Sequence, residues 1–348
     1  MWDEPGPAGP PLVAAGCHQP YLPNRYRHQP SSEDAAPHDA VSFWDTLGNL
    51  AWDVMKVRNQ EVVMQVGIYA FATPNGLRPD ELAREVEARG LAMLMFPEHS
   101  HIPVARATSY PDVYGGGDLP DFYRETFDPF VSCTLAASAT TRIRVGTGIC
   151  LLALREPVNT AKEVASVDYL SGGRFNFGVG FGWNADEFEN LGVPFKGRQK
   201  LVREKIMLMK SLWRDEVASF SGELVSLAPS WAWPKPISGP PILLGGNGPV
   251  TMKHAAEWAD VWYPTPPAED PLLTASAPVF RALVEQNGRD PKDVGMGCAP
   301  GDVTPADLET YEANGLSFVN VGMVTTSRDD DLRRLDDVAA KAAAYLDL

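Results

Sequence analysis

Residues 175–184 read Phe175-Asn176-Phe177-Gly178-Val179-Gly180-Phe181-Gly182-Trp183-Asn184, a short apolar strand running into a glycine-rich turn and then a helix start. Glycines in such a turn let the backbone approach a ligand, and the bare N–H groups of a helix start favour an anion. The spelling suits either a dinucleotide-binding sheet or a barrel. In the former, a second parallel strand with an acidic end follows soon after the helix. Here the next strand, residues 241–245, begins about sixty residues on. The stretch is therefore one βα unit in a longer series.

Working outward, β-branched or apolar runs alternate with longer amphipathic stretches, the signature of βα units and a parallel sheet. Strands are expected at 65–69, 92–96, 144–149, 175–179, 241–245, 259–263, 294–298 and 318–321. Helices are expected at 79–89, 129–139, 158–170, 198–213, 250–258, 278–287, 305–313 and 330–346. Eight cycles over about 285 residues predict an α/β fold of the (β/α)8 TIM-barrel type. An open doubly wound sheet stays open as an alternative, since periodicity does not set strand order. Two segments exceed simple connections, 97–128 after strand 2 and 215–240 before strand 5. Long ordered loops serve as lids or binding loops, and the first leaves a strand's C-terminal end, where barrels place their chemistry. Trp231 and Trp233 in the second either line a pocket or pack the insertion.

Eight of the 31 prolines fall in the first 40 residues, where apolar periodicity is weak, so this part reads as a poorly ordered leader. One short helix fits within 41–63, on Phe43, Leu47, Leu50, Trp52 and Val54. Met64 directly precedes the first strand and reads as the functional start, dividing the chain into leader 1–63 and barrel domain 64–348. A net charge of -15 would repel phosphodiester backbones and anionic headgroups, which argues against nucleic-acid or membrane partners. No apolar run approaches the roughly 18 residues of a membrane span, and the N-terminus lacks a secretory signal. A cytoplasmic protein acting on a small molecule is expected. Cys17, Cys133, Cys150 and Cys298 match no disulfide or CxxC pattern and read as reduced thiols, mostly buried.

The first chemical candidate is Pro97-Glu98-His99-Ser100-His101, where strand 2 runs out at the barrel mouth. A histidine there can exchange a proton at neutral pH, with Glu98 or Ser100 to orient it. His99 and His101 also spell HxH, a start for a metal site. The other histidine outside the leader, His254, falls in a predicted helix, so no three-histidine site assembles and no metal is assigned. The second candidate is the turn 180–183. The third is Gly245-Gly246-Asn247-Gly248-Pro249, where Pro249 suits a first helical turn and leaves the amides of Gly246, Asn247 and Gly248 for a phosphate. Two glycine turns at different strand ends fit one phosphate-tailed cofactor across the mouth. Asp168, Asp260 and Glu163 read as solvated or helix-capping carboxylates.

From Met64 onward the chain resembles the luciferase-like monooxygenase superfamily, and within it the branch that uses the deazaflavin coenzyme F420. The resemblance rests on Pro97-Glu98-His99, on Arg144-Val145-Gly146-Thr147-Gly148-Ile149 with Arg155-Glu156-Pro157, on Gly178 to Asn184 with Asp186-Glu187-Phe188, and on residues 241–248 with Ala255-Ala256-Glu257-Trp258-Ala259-Asp260. It implies that His99 handles a proton beside the cofactor ring. It implies a bulge with a non-prolyl cis peptide at Gly148 and Ile149 behind the ring. It also implies that Gly180, Phe181, Gly182 and Trp183, with Gly246, Asn247 and Gly248, hold the ribityl and phosphate tail. Sugar-phosphate dehydrogenases of this branch carry a glutamate where this chain has Trp183, which speaks against such a substrate. The expected activity is hydride transfer between F420 and a small organic substrate. The alternative is a two-component monooxygenase on reduced FMN, which needs a flavin reductase partner. A metal hydrolase or a non-catalytic cofactor-binding barrel ranks behind both. Relatives are commonly dimers, so a homodimer is implied.

Overall fold

The computed structural model describes residues 64–112, 115–237 and 239–346, so the expected leader and its short helix lie outside the described residues. Eight parallel strands close a barrel: β1 (Gln65–Phe71), β2 (Met93–Phe96), β3 (Arg144–Cys150), β4 (Phe175–Val179), β7 (Ile242–Gly245), β8 (Val261–Tyr263), β9 (Gly295–Cys298) and β10 (Phe318–Val324). The order around the barrel is β1-β10-β9-β8-β7-β4-β3-β2. Closure runs through Gln65↔Phe318 to Phe71↔Val324 on one side of β1 and Ile68↔Leu94 on the other. The expected (β/α)8 barrel stands, and the open-sheet alternative falls with that closure.

The connecting helices among the described residues are α1 (Pro79–Ala88), α2 (Pro129–Ala139), α3 (Pro157–Ser171), α4 (Ala185–Asn190), α5 (Arg198–Arg214), α6 (Gly248–Trp258), α7 (Ser276–Gln286), α8 (Pro305–Ala313) and α9 (Arg328–Lys341). Their starts follow local chemistry. Pro lies in the first turn of α1, α2, α3 and α8, where its missing N–H costs nothing. Asp128 accepts from the amides of Phe130 and Val131 at the head of α2, and Thr304 with Asp307 forms a capping box on α8. Gly172 ends α3 at φ 70°, in the left-handed region. The helix expected at 330–346 stops at Lys341 and continues as a 3-10 turn, Ala343–Tyr345.

Met93, Met95, Leu243, Val261, Tyr263 and Phe318 fill the barrel interior. A larger apolar jacket, including Phe130, Phe175, Phe177 and Ile206, lies between strands and helices. Burial pushes the thiols of Cys133, Cys150 and Cys298 above their ordinary value, which leaves them protonated packing groups. No helix among the described residues is long and apolar enough to cross a membrane.

The second long segment is built differently from a mouth loop. It forms an antiparallel hairpin of β5 (Ala218–Ser221) and β6 (Ser226–Ser230) that packs on α5. Glu204 of α5 accepts from the amides of Leu224 and Val225, and Lys235 donates to the carbonyls of Leu212 and Asp215. Trp231 and Trp233 are 77% and 59% exposed, so they neither line a pocket nor fill a core. Asp168 corrects the reading of a solvated or capping carboxylate: it is fully buried and accepts from the Ile237 amide at 2.6 Å, which ties this insertion to α3.

Candidate active site

The C-terminal strand ends surround one cavity of about 470 Å³. Three walls meet there. Gly148 and Ile149 of β3, with Gly245 at the end of β7, Gly246 and Asn247 beyond it and Phe181 and Gly182 after β4, make the first, while Trp183 packs with the second. Tyr69 and Phe71 of β1, His99, and Tyr110, Phe122 and Tyr123 of the loop 97–128 make the second. Thr265, Ala299, Pro300, Gly301 and Gly322, beyond β8, β9 and β10, make the third. The first long segment thus supplies a binding wall, as its position predicts.

The β3 wall is shaped by glycines. The Gly148–Ile149 peptide is cis, and the β3–β4 register shifts between Thr147 and Cys150, at the expected place. Ile149 then occupies space that glycines leave: a Cβ on Gly180 would lie 1.8 Å from its Cδ1, and one on Gly245 would lie 2.7 Å from its Cγ2. Gly180 is therefore not a lining residue but the backing for Ile149. The turn beyond β7 is held by Trp262 Nε1 donating to the Gly246 carbonyl at 3.1 Å. Gly246 sits at φ 123°, which a Cβ would strain. Gly248 becomes the first residue of α6, whose N-terminus has no side-chain cap. Both amide atoms of Asn247 are buried with no hydrogen-bond partner among the described residues. Orphaned polar atoms beside bare helix-start amides fit a polar or anionic tail, and the glycine-backed Ile149 face fits a flat ring, so the residues suit a flavin-type cofactor.

His99 lines the same cavity with its side chain 7% exposed. Its Nδ1 meets both oxygens of Glu187, at 3.0 and 3.1 Å, and that carboxylate is itself buried. Edge contacts with Tyr123 and Trp183, at centroid distances of 5.0 and 5.9 Å, fix the ring further. Nε2 is left as the ring nitrogen for the cavity that His99 lines.

The expectation that Glu98 or Ser100 orients His99 is corrected. One Glu98 oxygen accepts from the Leu151 amide at 2.6 Å and the other from Arg155 Nε at 2.5 Å. Arg155 also bonds Glu163 and Asp128, so Glu163, a part-exposed carboxylate, is also one arm of this cluster. Ser100 Oγ faces His101 Nδ1, and His101 does not share the His99 cavity. Glu98 thus secures the segment after β3, and Lys205 completes that support by donating to the carbonyls of Leu152, Ala153 and Arg155 at 3.1, 2.8 and 2.6 Å. Burial lowers the Lys205 ammonium to about 8, and the three carbonyls compensate for its lost water.

The real orienting residue, Glu187, sits in the first turn of α4, next to Asp186. Asp186 accepts from the amides of Ala107 and Thr108, both at 2.9 Å, and those backbone bonds hold its carboxyl at about 2. One helical turn therefore grips both His99 and the aromatic loop. Its only sequence signal was the triplet Asp186-Glu187-Phe188 after the glycine turn. Tyr69 and Phe71 also escaped the sequence reading, although alternation at the C-terminal end of β1 puts both on one face.

The sequence profile of the luciferase-like monooxygenases matches residues 71–342, from the end of β1 to α9. The chain belongs to this family. It is an oxidoreductase of the luciferase-like type, and its relatives cover the barrel nearly end to end. An uncharacterized protein of Mycobacterium tuberculosis is 37% identical over 285 residues, which is 80% of this chain and 99% of that one. Among solved structures, an F420-dependent secondary alcohol dehydrogenase in complex with an F420-acetone adduct superposes with a TM-score of 0.64 at 18% identity, over 82% of this chain and 99% of that one. The oxygenating constituent of 3,6-diketocamphane monooxygenase from Pseudomonas putida, in complex with FMN, gives 0.61 at 15% identity, with the same coverage. At such identities the two structures are alike in fold.

Proposed function

We propose that the protein transfers a hydride between coenzyme F420 and a small organic substrate, with His99 exchanging the accompanying proton. The observation that carries this is that His99, paired with the buried Glu187, lines the same cavity as Ile149. A bound deazaflavin would supply two-electron hydride chemistry at a ring carbon. The chain's residues supply the rest. Ile149, backed by Gly180 and Gly245, gives the ring a stiff seat. Gly246, Asn247 and the start of α6 receive the tail. Tyr69, Phe71, Tyr123 and Trp183 keep water from the reacting atoms. Glu187 fixes the tautomer and orientation of His99, so that Nε2 can give or take a proton, and stabilises the imidazolium that results. The dehydrogenase with its F420-acetone adduct supports the choice of deazaflavin as a relative of the same fold.

The test is titration of the purified protein with oxidised F420 and, separately, with oxidised and reduced FMN, followed by calorimetry or fluorescence quenching. Tight F420 binding with weak FMN binding is expected. The reverse preference would make the protein a flavin monooxygenase that needs a reductase, and binding of neither would leave a barrel without this chemistry.

A further inference from the structure

The aromatic wall beside His99 says what kind of molecule reaches it. Tyr69, Phe71, Tyr110, Phe122, Tyr123 and Trp183 form one packed cluster, with Phe71 to Phe122 at 4.6 Å, Phe71 to Tyr123 at 4.9 Å and Tyr110 to Trp183 at 5.9 Å between ring centroids. Two of its hydroxyls are turned on each other: those of Tyr110 and Tyr123 share a hydrogen bond at 3.1 Å. Among the described residues that line the cavity there is no lysine or arginine. Arg155, which holds the cavity-lining Glu98, spends its guanidinium on Glu98, Glu163 and Asp128, and Arg198 meets the site only through the carbonyl of Gly182.

Charge on the substrate would therefore be costly in either sign. An anion would lose its water without gaining a counter-ion, and it would meet the carboxylate of Glu98, with that of Glu187 buried behind His99. A cation would find those carboxylates already engaged, by Arg155 and the Leu151 amide in one case and by His99 Nδ1 in the other. A neutral molecule pays neither cost, and one with a ring gains buried apolar area and edge-to-face contacts against the cluster. The polar atom it must present is the one that meets His99 Nε2.

From this charge-free aromatic wall beside His99 we infer that the substrate is an uncharged, ring-bearing ketone or the corresponding secondary alcohol, a specificity that rests on the hydride-transfer reading above. In the reducing direction, the carbonyl carbon takes a hydride from the reduced deazaflavin and the oxygen takes a proton from His99. The C=O π bond is replaced by a C–H and an O–H bond, the deazaflavin is left oxidised by two electrons, and solvent reprotonates His99. Phe122 is the specificity residue of choice, because it is half-buried at the cavity edge and no hydrogen bond depends on its side chain.

Three probes separate charge from ring: acetophenone, acetone, which lacks the ring, and benzoylformate, which has a carboxylate in place of the methyl. Their binding to the full-length protein is measured by calorimetry and by quenching of tryptophan fluorescence, without cofactor and with saturating F420, and their reduction is then followed. Acetophenone is expected to bind at least tenfold more tightly than either other probe. Phe122→Ala should remove about tenfold of its advantage over acetone and leave F420 affinity unchanged. With F420 bound, benzoylformate binding as well as acetophenone, acetone matching it, or no acetophenone binding at all would each overturn the inference. Acetophenone selectivity in a protein that binds no F420 would uphold the pocket's specificity and instead sink the deazaflavin reading.

Discussion

At the scale of single residues, the site depends on pairs in which one member has the obvious chemistry and the other makes it usable. Ile149 owes its place to the missing side chain of Gly180, since a Cβ there would sit 1.8 Å from Ile149 Cδ1. Gly180→Ala should therefore push Ile149 toward the ring seat. Overpacking of this kind costs about 1–3 kcal/mol, and F420 affinity should fall about tenfold or more, since 1.4 kcal/mol is a factor of ten. Ile149→Val removes Cδ1, so the double variant should recover most of that affinity in the same titration. Failure to recover would mean that Gly180 matters for backbone approach rather than for room. His99 and Glu187 are coupled differently. His99→Ala should lower kcat by about 10²–10⁴-fold, the usual worth of a general acid or base, with F420 affinity nearly intact. Glu187→Gln should lower kcat less, by about tenfold or more. Because Glu187 acts through His99, the double variant should be no slower than His99→Ala alone. Additive losses would place Glu187 in some other role.

Elements decide which of these pairs can form, and here α4 matters beyond its length. Asp186 and Glu187 occupy consecutive positions in its first turn, one holding the loop at Ala107 and Thr108, the other holding His99. Asp186→Ala should leave the barrel folded. It should raise hydrogen exchange at the Ala107 and Thr108 amides and raise KM, with a smaller effect on the chemical step; unchanged exchange at those amides would show that the loop is held elsewhere. Such cross-element contacts are what the sequence hides. The strands were legible because short β-branched or apolar runs between longer amphipathic stretches are local signals, and β4 and α2 fall on their expected residues. His99 and both glycine turns were legible for a related reason: strand ends are local, and barrels put their chemistry there. Glu98 was misread because adjacency in sequence suggested a partnership with His99, whereas neighbours around a strand end point to opposite sides. Its true partner, Arg155, lies across β3. Likewise Asp168 resembled a surface carboxylate, yet it is buried and holds the Ile237 amide of the segment that follows the hairpin, a contact no local pattern signals.

At the scale of the whole molecule, closure settles what the fold needs. Met64 is 1% exposed, the Gln65 amide donates to the Ser317 carbonyl at 3.0 Å, and β1 pairs along its full length with β10. A barrel has no free edge once its first and last strands meet, so each of its eight strands supports its neighbours and the site stands on all of them. The 285 aligned residues that make up 99% of the Mycobacterium tuberculosis relative amount to 80% of this chain, so a protein about a fifth shorter carries the same barrel. Tolerance to truncation follows from the burial and hydrogen bonding of the backbone removed, and every cavity-lining group named above lies beyond Met64. A protein spanning residues 64–348 should accordingly keep its melting temperature within about 2 °C of the full chain, roughly 1 kcal/mol for a domain of this size. It should also bind F420 with the same affinity. Calorimetric melting and the same cofactor titration on both proteins check this. A lower melting temperature with intact binding would assign residues 1–63 to stability, whereas lost binding in a stable barrel would mean that they complete the cofactor site.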